Sequence, residues 1–123
     1  VERVALDDLL ARSDTVVICC PLTGATHGMI GARELALLGP RGVLVNVARG
    51  AIVDEPALCA SLAGGTIGGA GLDVFADEPH VPRALCEHPR VVLTPHIADY
   101  QSGTLEALTA AVVRELLLVG STA

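Results

Sequence analysis

Apolar residues fall in short runs along this chain, each bounded by turn-forming residues. From Val4 to Arg12 they recur at helical spacing, with Leu6, Leu9 and Leu10 on one side, and Ser13-Asp14 interrupts the pattern. Thr15 to Cys20 is a continuous, largely β-branched run, which predicts a strand buried on both faces that ends at Pro21. Ala32 to Leu38 predicts a second helix, and Gly39-Pro40-Arg41-Gly42 a turn. Val43 to Val47 predicts another buried strand, with Arg49-Gly50 just beyond its end. Asp54 is placed to cap a helix running to Leu62, which Gly64-Gly65 terminates. Ile67 to Val74 predicts a glycine-rich strand, and Val91 to Thr94 a last one, stopped by Pro95. Leu105, Leu108, Val112, Leu116 and Val119 then form the apolar face of a long C-terminal helix.

Alternating strands and helices predict an α/β fold with a parallel sheet. Ligands bind outside the carboxyl ends of the strands in such sheets. The polar residues gather at those ends: Thr23 and Thr26 after the first strand, Arg49 after the second, Asp73 and Glu78 after the third, and His96 after the fourth.

Composition narrows the picture. Of the 123 residues, 51% are hydrophobic, enough for one domain with a single core. Only 2% are aromatic, so that core must be Val, Leu, Ile and Ala, as in sheets covered by helices on both faces. The formal net charge is -6 with no run of Lys or Arg, which disfavours nucleic acid and anionic membranes as partners. No apolar stretch approaches the ~20 residues of a spanning helix, and no secretory leader is evident. Cys19, Cys20, Cys59 and Cys86 lack metal-ligand spacing and are expected to be buried, reduced thiols of a cytosolic protein. No metal site is expected. The first residue is Val1, so a fragment or a truncated reading frame is expected.

Arg49, Glu78 and His96 are the candidate reactive groups. The guanidinium fork of arginine binds a carboxylate through two parallel hydrogen bonds and keeps its charge. Imidazole titrates near neutrality, which suits general acid-base work, and a neighbouring carboxylate can hold the ring. Each residue alone is an ordinary surface side chain. Together at strand ends they are the parts for moving a proton at a carbonyl.

Three phrases occur in order: Val45-Asn46-Val47-Ala48-Arg49-Gly50; Gly71-Leu72-Asp73-Val74-Phe75 with Glu78-Pro79; and Thr94-Pro95-His96-Ile97-Ala98. With Cys20-Pro21-Leu22-Thr23 and Thr26-His27-Gly28, they resemble the D-isomer-specific 2-hydroxyacid dehydrogenases from Leu6 to the last helix. The resemblance implies the second half of a Rossmann-like, doubly wound parallel sheet. Residues 1–99 would be the C-terminal half of an NAD(P)-binding domain, and 100–123 a helix returning toward a substrate domain that the chain lacks. It implies Arg49 as the substrate-carboxylate arginine, His96 as the acid-base group and Glu78 as its paired acid. Cys20, Pro21 and Thr26 would line the adenosine-ribose side of the cofactor. Val47, Ala48, Arg49, Asp73, His96 and Ala98 would lie at the nicotinamide side. The cofactor would be NAD or NADP, the substrate a small 2-oxo or 2-hydroxy acid, and the full protein a cytoplasmic homodimer. Within the family, Leu38 to Gly42 and Glu78-Pro79 with Val81-Pro82 look most like bacterial glyoxylate/hydroxypyruvate reductases.

The chain departs from the family pattern in places. No Gly-x-Gly-x-x-Gly is present, and Gly69-Ala70-Gly71 falls inside a predicted strand. Asp99-Tyr100-Gln101 follows the histidine where the family more often carries small residues and a threonine. Two other classes remain beside an enzyme fragment: an inactive remnant, and a cofactor-sensing binding protein like the corepressors that share this fold. Glu78 argues against the formate dehydrogenase branch, which carries glutamine there.

Overall fold

The computed structural model describes residues 2–98. In chain order these form α1 (Leu6–Arg12), β1 (Thr15–Ile18), α2 (Ala32–Leu38), β2 (Val43–Asn46), a 3-10 turn (Gly50–Ile52), α3 (Glu55–Ala63), β3 (Gly69–Leu72), α4 (Arg83–Cys86) and β4 (Val91–Leu93). The expected C-terminal helix and Asp99-Tyr100-Gln101 lie outside the described residues.

The four strands form one parallel sheet in the order β1-β2-β3-β4. Register aligns Val17 with Val45, Gly71 and Val92, and one step on Ile18 with Asn46, Leu72 and Leu93. Parallel neighbours need a crossover between them, so every strand points the same way and delivers its C-terminal residue to one rim. This is the parallel α/β sheet that the alternating pattern predicts, with the Rossmann-like architecture that the family resemblance implies.

Local chemistry sets the boundaries. The Asp54 carboxylate accepts from the Ala57 N–H at 3.0 Å, Pro56 occupies the first turn of α3, and Gly64 caps its end. Gly39, at φ 80°, terminates α2 in a backbone region that a side chain would strain. Arg33 on α2 reaches Asp7 on α1 through two hydrogen bonds of 2.8 and 2.9 Å, although both side chains face solvent.

Aliphatic side chains fill the core. Val16, Ile18, Leu44, Ala70 and Leu72 of the sheet pack with Leu10, Leu35, Leu58 and Leu62 of the first three helices. Several expectations need correction here. The first strand stops at Ile18, two residues before Cys20, and alternates exposed and buried instead of being covered on both sides. Val17, whose side chain lies on the face of β1 opposite Val16 and Ile18, remains 53% exposed. β2 likewise alternates between partly buried and buried residues. The first helix begins at Leu6, and Leu9 points outward while Leu10 is fully buried. β3 is confined to Gly69–Leu72. None of the four cysteines is buried: Cys19 and Cys86 are exposed, Cys20 and Cys59 half-buried.

Among the described residues no helix is long and apolar enough to cross a membrane.

Candidate active site

Each of the four strands ends in a loop on the same rim, and these loops carry the candidate residues. After β2 the chain makes a tight turn through Val47, Ala48 and Arg49. Asn46, only 1% exposed, organises that turn. Its side-chain carbonyl accepts from the Ala48 N–H at 3.0 Å, and its amide donates to the Arg49 carbonyl at 2.9 Å. The Arg49 carbonyl accepts a second bond from the Ile52 N–H, at 3.2 Å. The Arg49 backbone is thereby fixed, while its side chain reaches outward and donates to the Ala48 carbonyl at 2.6 Å. Among the described residues its guanidinium has no carboxylate partner.

The loops after β3 and β4 meet at two carboxylates. Asp73 is buried at the end of β3, and both of its oxygens are engaged. One accepts from the Thr94 hydroxyl and from the Ile97 N–H at 3.0 Å; the other accepts from the Ala98 N–H at 2.9 Å. Burial pushes the Asp73 carboxyl up, but the Thr94 hydroxyl and the two N–H groups outweigh it and hold the pKa below the usual value. The turn so clamped contains His96, whose φ of 55° is a left-handed conformation uncommon outside glycine.

His96 Nδ1 lies 2.8 Å from Glu78 Oε2. The other Glu78 oxygen accepts from the Phe75 N–H at 2.9 Å. The His96 ring, followed by this N–H, holds the Glu78 carboxyl below its usual range. With Nδ1 committed to the carboxylate, Nε2 is the nitrogen left to face a reactant. The two side chains are 46% and 36% exposed, so the pair can exchange protons with solvent.

Two clefts flank these groups. One, of about 480 Å³, is bounded by Cys19, Cys20, Pro21, Leu22, Ala48 and Arg49. The other, of about 320 Å³, is largely apolar and runs past Phe75, Val81 and Leu93 to Glu78 and His96. The structure thus gathers Cys20, Pro21, Ala48 and Arg49 around one cleft, and Glu78 with His96 around the other. Val47 is partly exposed beside Arg49. Thr26 is turned inward: its hydroxyl donates to the Pro21 carbonyl at 2.8 Å and accepts from the Thr23 N–H at 2.8 Å. Ala98 contributes its N–H to Asp73. Sequence reasoning assigned no task to Asn46 or Thr94. A lone amide in the apolar run Val43 to Val47 was the available signal for Asn46, since a buried amide must be hydrogen-bonded.

A parallel sheet with its polar groups on the carboxyl rim defines a Rossmann-like ligand-binding domain. Residues 1–98 match the D-isomer specific 2-hydroxyacid dehydrogenase, NAD binding domain, and the chain belongs to that family. It is 46% identical over 116 residues to a glyoxylate reductase of Thermococcus gammatolerans, covering 94% of this chain and 35% of that protein. It is 47% identical over 113 residues to glyoxylate/hydroxypyruvate reductase B of Pectobacterium carotovorum, covering 91% and 35%. Among solved structures, the NADPH-dependent glyoxylate/hydroxypyruvate reductase of Sinorhizobium meliloti, in complex with NADP and malonate, superimposes with a TM-score of 0.81. That match has 45% identity and covers 95% of this chain and 37% of the other. The D-isomer specific 2-hydroxyacid dehydrogenase of Lactobacillus delbrueckii in its NAD complex also gives a TM-score of 0.81, at 32% identity, covering 95% and 41%. The chain therefore spans about a third of the length of the curated relatives it matches.

Proposed function

We propose that this chain is the catalytic back portion of an NAD(P)-dependent D-2-hydroxyacid dehydrogenase that reduces small 2-oxo acids of the glyoxylate and hydroxypyruvate kind. The observation that carries the reading is the Glu78–His96 hydrogen bond on the same rim as Arg49, whose guanidinium has no carboxylate partner among the described residues. Residues 1–99 form the second half of the cofactor-binding domain in this reading, and 100–123 lead toward a substrate domain.

The cleft beside Arg49 lies outside the carboxyl ends of β1 and β2, where parallel sheets bind their ligands. Cys20, Pro21, Val47 and Ala48 would line the cofactor, whose chemistry is hydride transfer at C2 of the substrate, while Thr26, Asp73 and Ala98, engaged within the protein, would shape the loops around it. Arg49 binds the substrate carboxylate through its planar fork and stabilises charge developing on the neighbouring carbonyl oxygen. His96, protonated, donates from Nε2 to that oxygen as it becomes a hydroxyl. Glu78, fixed by the Phe75 N–H, holds the ring in one orientation and balances the imidazolium charge. In the reverse direction neutral His96 takes the hydroxyl proton. The same reading makes the whole protein a cytoplasmic homodimer, as the family resemblance implies.

Reduction of glyoxylate and hydroxypyruvate by the intact gene product carrying this chain, followed as NADH or NADPH oxidation, tests the proposal. Turnover should appear with at least one cofactor and should collapse in Arg49→Ala and His96→Gln. Absence of turnover across a panel of 2-oxo acids, with both cofactors, overturns it.

A further inference from the structure

Arg49 and Glu78 belong to different loops, yet the segments that carry them come into close contact at Gly50. A Cβ built on Gly50 would collide with the backbone carbonyl group of Phe75 and would stand 2.5 Å from the Ala76 nitrogen. These are main-chain atoms, which cannot swing aside as a flexible side chain can. They also sit in the loop that holds Glu78: the Phe75 N–H binds Glu78 Oε1, and the adjacent Ala76 N–H binds Glu55 Oε2 at 3.2 Å.

We propose that Gly50 is a positioning residue, whose missing side chain sets the spacing between the Arg49 turn and the loop that orients Glu78 and, through it, His96. The Arg49 turn has little freedom to yield. Its carbonyl is gripped by Asn46 and by the Ile52 N–H, and the Val53 N–H binds the Gly50 carbonyl at 3.0 Å. A methyl group at position 50 therefore pushes against the Phe75–Glu78 loop. The Phe75 N–H to Glu78 bond lengthens, and the His96 ring loses its fixed orientation although it lies 46 positions away in the chain. Gly50 touches neither substrate nor cofactor in this account; it acts through Glu78. The consequence for catalysis rests on the function proposed above, while the structural coupling stands independently of it.

The test begins with the 123-residue chain in solution. Wild type should show nuclear Overhauser contacts from the Gly50 α protons to the amide protons of Phe75 and Ala76; their absence overturns the proposal. In Gly50→Ala, the Phe75 amide and the His96 ring nitrogens should change chemical shift. The control Gly24→Ala, whose added Cβ meets nothing within 4 Å, should leave them in place. A folded Gly50→Ala variant with unchanged Phe75 and His96 signals overturns the coupling. Should that variant fail to fold, the wild-type contacts decide. In the intact gene product, kcat/KM per folded molecule should fall by about 10²-fold, the scale of a misplaced catalytic group. A purely structural role for Gly50 would lower thermal stability and leave that value unchanged. Arg49→Ala serves as the separate arm: if it leaves turnover intact, the catalytic reading fails, whatever Gly50 does.

Discussion

The carboxylate of Asp73 accepts the backbone N–H of Ala98 at 2.9 Å, joining the end of β3 to the far side of the turn that contains His96. The same carboxylate takes the Ile97 N–H and the Thr94 hydroxyl on its other oxygen, so three donors converge on one buried group. Asp73→Asn cannot satisfy all of them. Whichever way the amide is turned, its NH2 faces at least one backbone N–H. A buried donor left without its acceptor costs about 1–3 kcal/mol. Denaturant unfolding of the variant should show a loss of that size, with faster amide exchange at Ile97 or Ala98. Unchanged stability and exchange would show that the turn holds itself.

Acid should release the same turn. Both Asp73 and Glu78 have folded-state pKa values below their ordinary ones. Their contribution to stability is therefore fully present above the unfolded-state values, about 3.9 for Asp and 4.3 for Glu. It is lost as pH falls through the lower folded-state values. From neutrality to about pH 5 these two groups should leave unfolding free energy unchanged, and below that range stability should decline. The double variant Asp73→Asn, Glu78→Gln should show a shallower acid limb than wild type in urea titrations across this range. Parallel acid limbs would refute the assignment.

His96→Gln separates proton transfer from binding. Glutamine can still meet Glu78 but cannot donate a proton to an alkoxide. A positioned acid-base group contributes about 10²–10⁴-fold to rate. The intact enzyme should lose turnover on that scale, with a much smaller change in the Michaelis constant. Steady-state kinetics decide the matter, and an unchanged turnover number would remove His96 from the chemistry.

Arg49→Lys keeps the charge and removes the fork. Two parallel hydrogen bonds to a carboxylate require the planar guanidinium. The Michaelis constant for a 2-oxo acid should rise and turnover should fall, whereas the dissociation constant of the nicotinamide cofactor, measured by fluorescence titration, should change less. Wild-type kinetics in the lysine variant would mark Arg49 as a surface arginine.

Leu44→Ala tests the frame instead of the site. Leu44 is fully buried at the centre of β2, and a cavity left there cannot be filled from solvent. Such truncations cost about 2–5 kcal/mol. Thermal or urea unfolding of the 123-residue chain measures the loss, and a difference under ~0.5 kcal/mol would contradict the packing described.

Local signals in the chain were legible where a few adjacent residues decide the outcome. Asp54 caps α3 because its carboxylate needs only the Ala57 N–H, three residues away. Pro95 and Gly39 stop their elements through their own backbone preferences. Signals that depend on distant partners were not legible. The continuous apolar run after Asp14 suggested a strand covered twice, but nothing in that run says which neighbour leaves Val17 open. α4 spans only Arg83–Cys86, too short for any periodicity to announce it; the buried Leu85 anchors it. The cysteines are exposed or half-buried instead of buried, because a thiol's burial depends on what packs above it. At the site, placement of Arg49, Asp73, Glu78 and His96 on one rim followed from strand ends alone. The Glu78–His96 bond was expected from that shared placement together with the family resemblance, whereas the Asn46 brace and the Thr94 hydroxyl needed coordinates.

The one-way orientation of the four strands also divides the molecule's tolerance for change. Loops on the carboxyl rim, 19–29, 47–53, 73–81 and 94–98, carry every candidate reactive group. The opposite rim, at 39–42 and 64–68, holds turns packed so closely that a Cβ on Gly68 would stand 2.8 Å from the Arg41 carbonyl. Substitutions that retune what is bound can therefore accumulate on one edge while the other keeps the scaffold in register. An engineer seeking a new substrate should vary the exposed positions of the first rim, sparing Gly50 and the Asp73 clamp, and leave the second untouched.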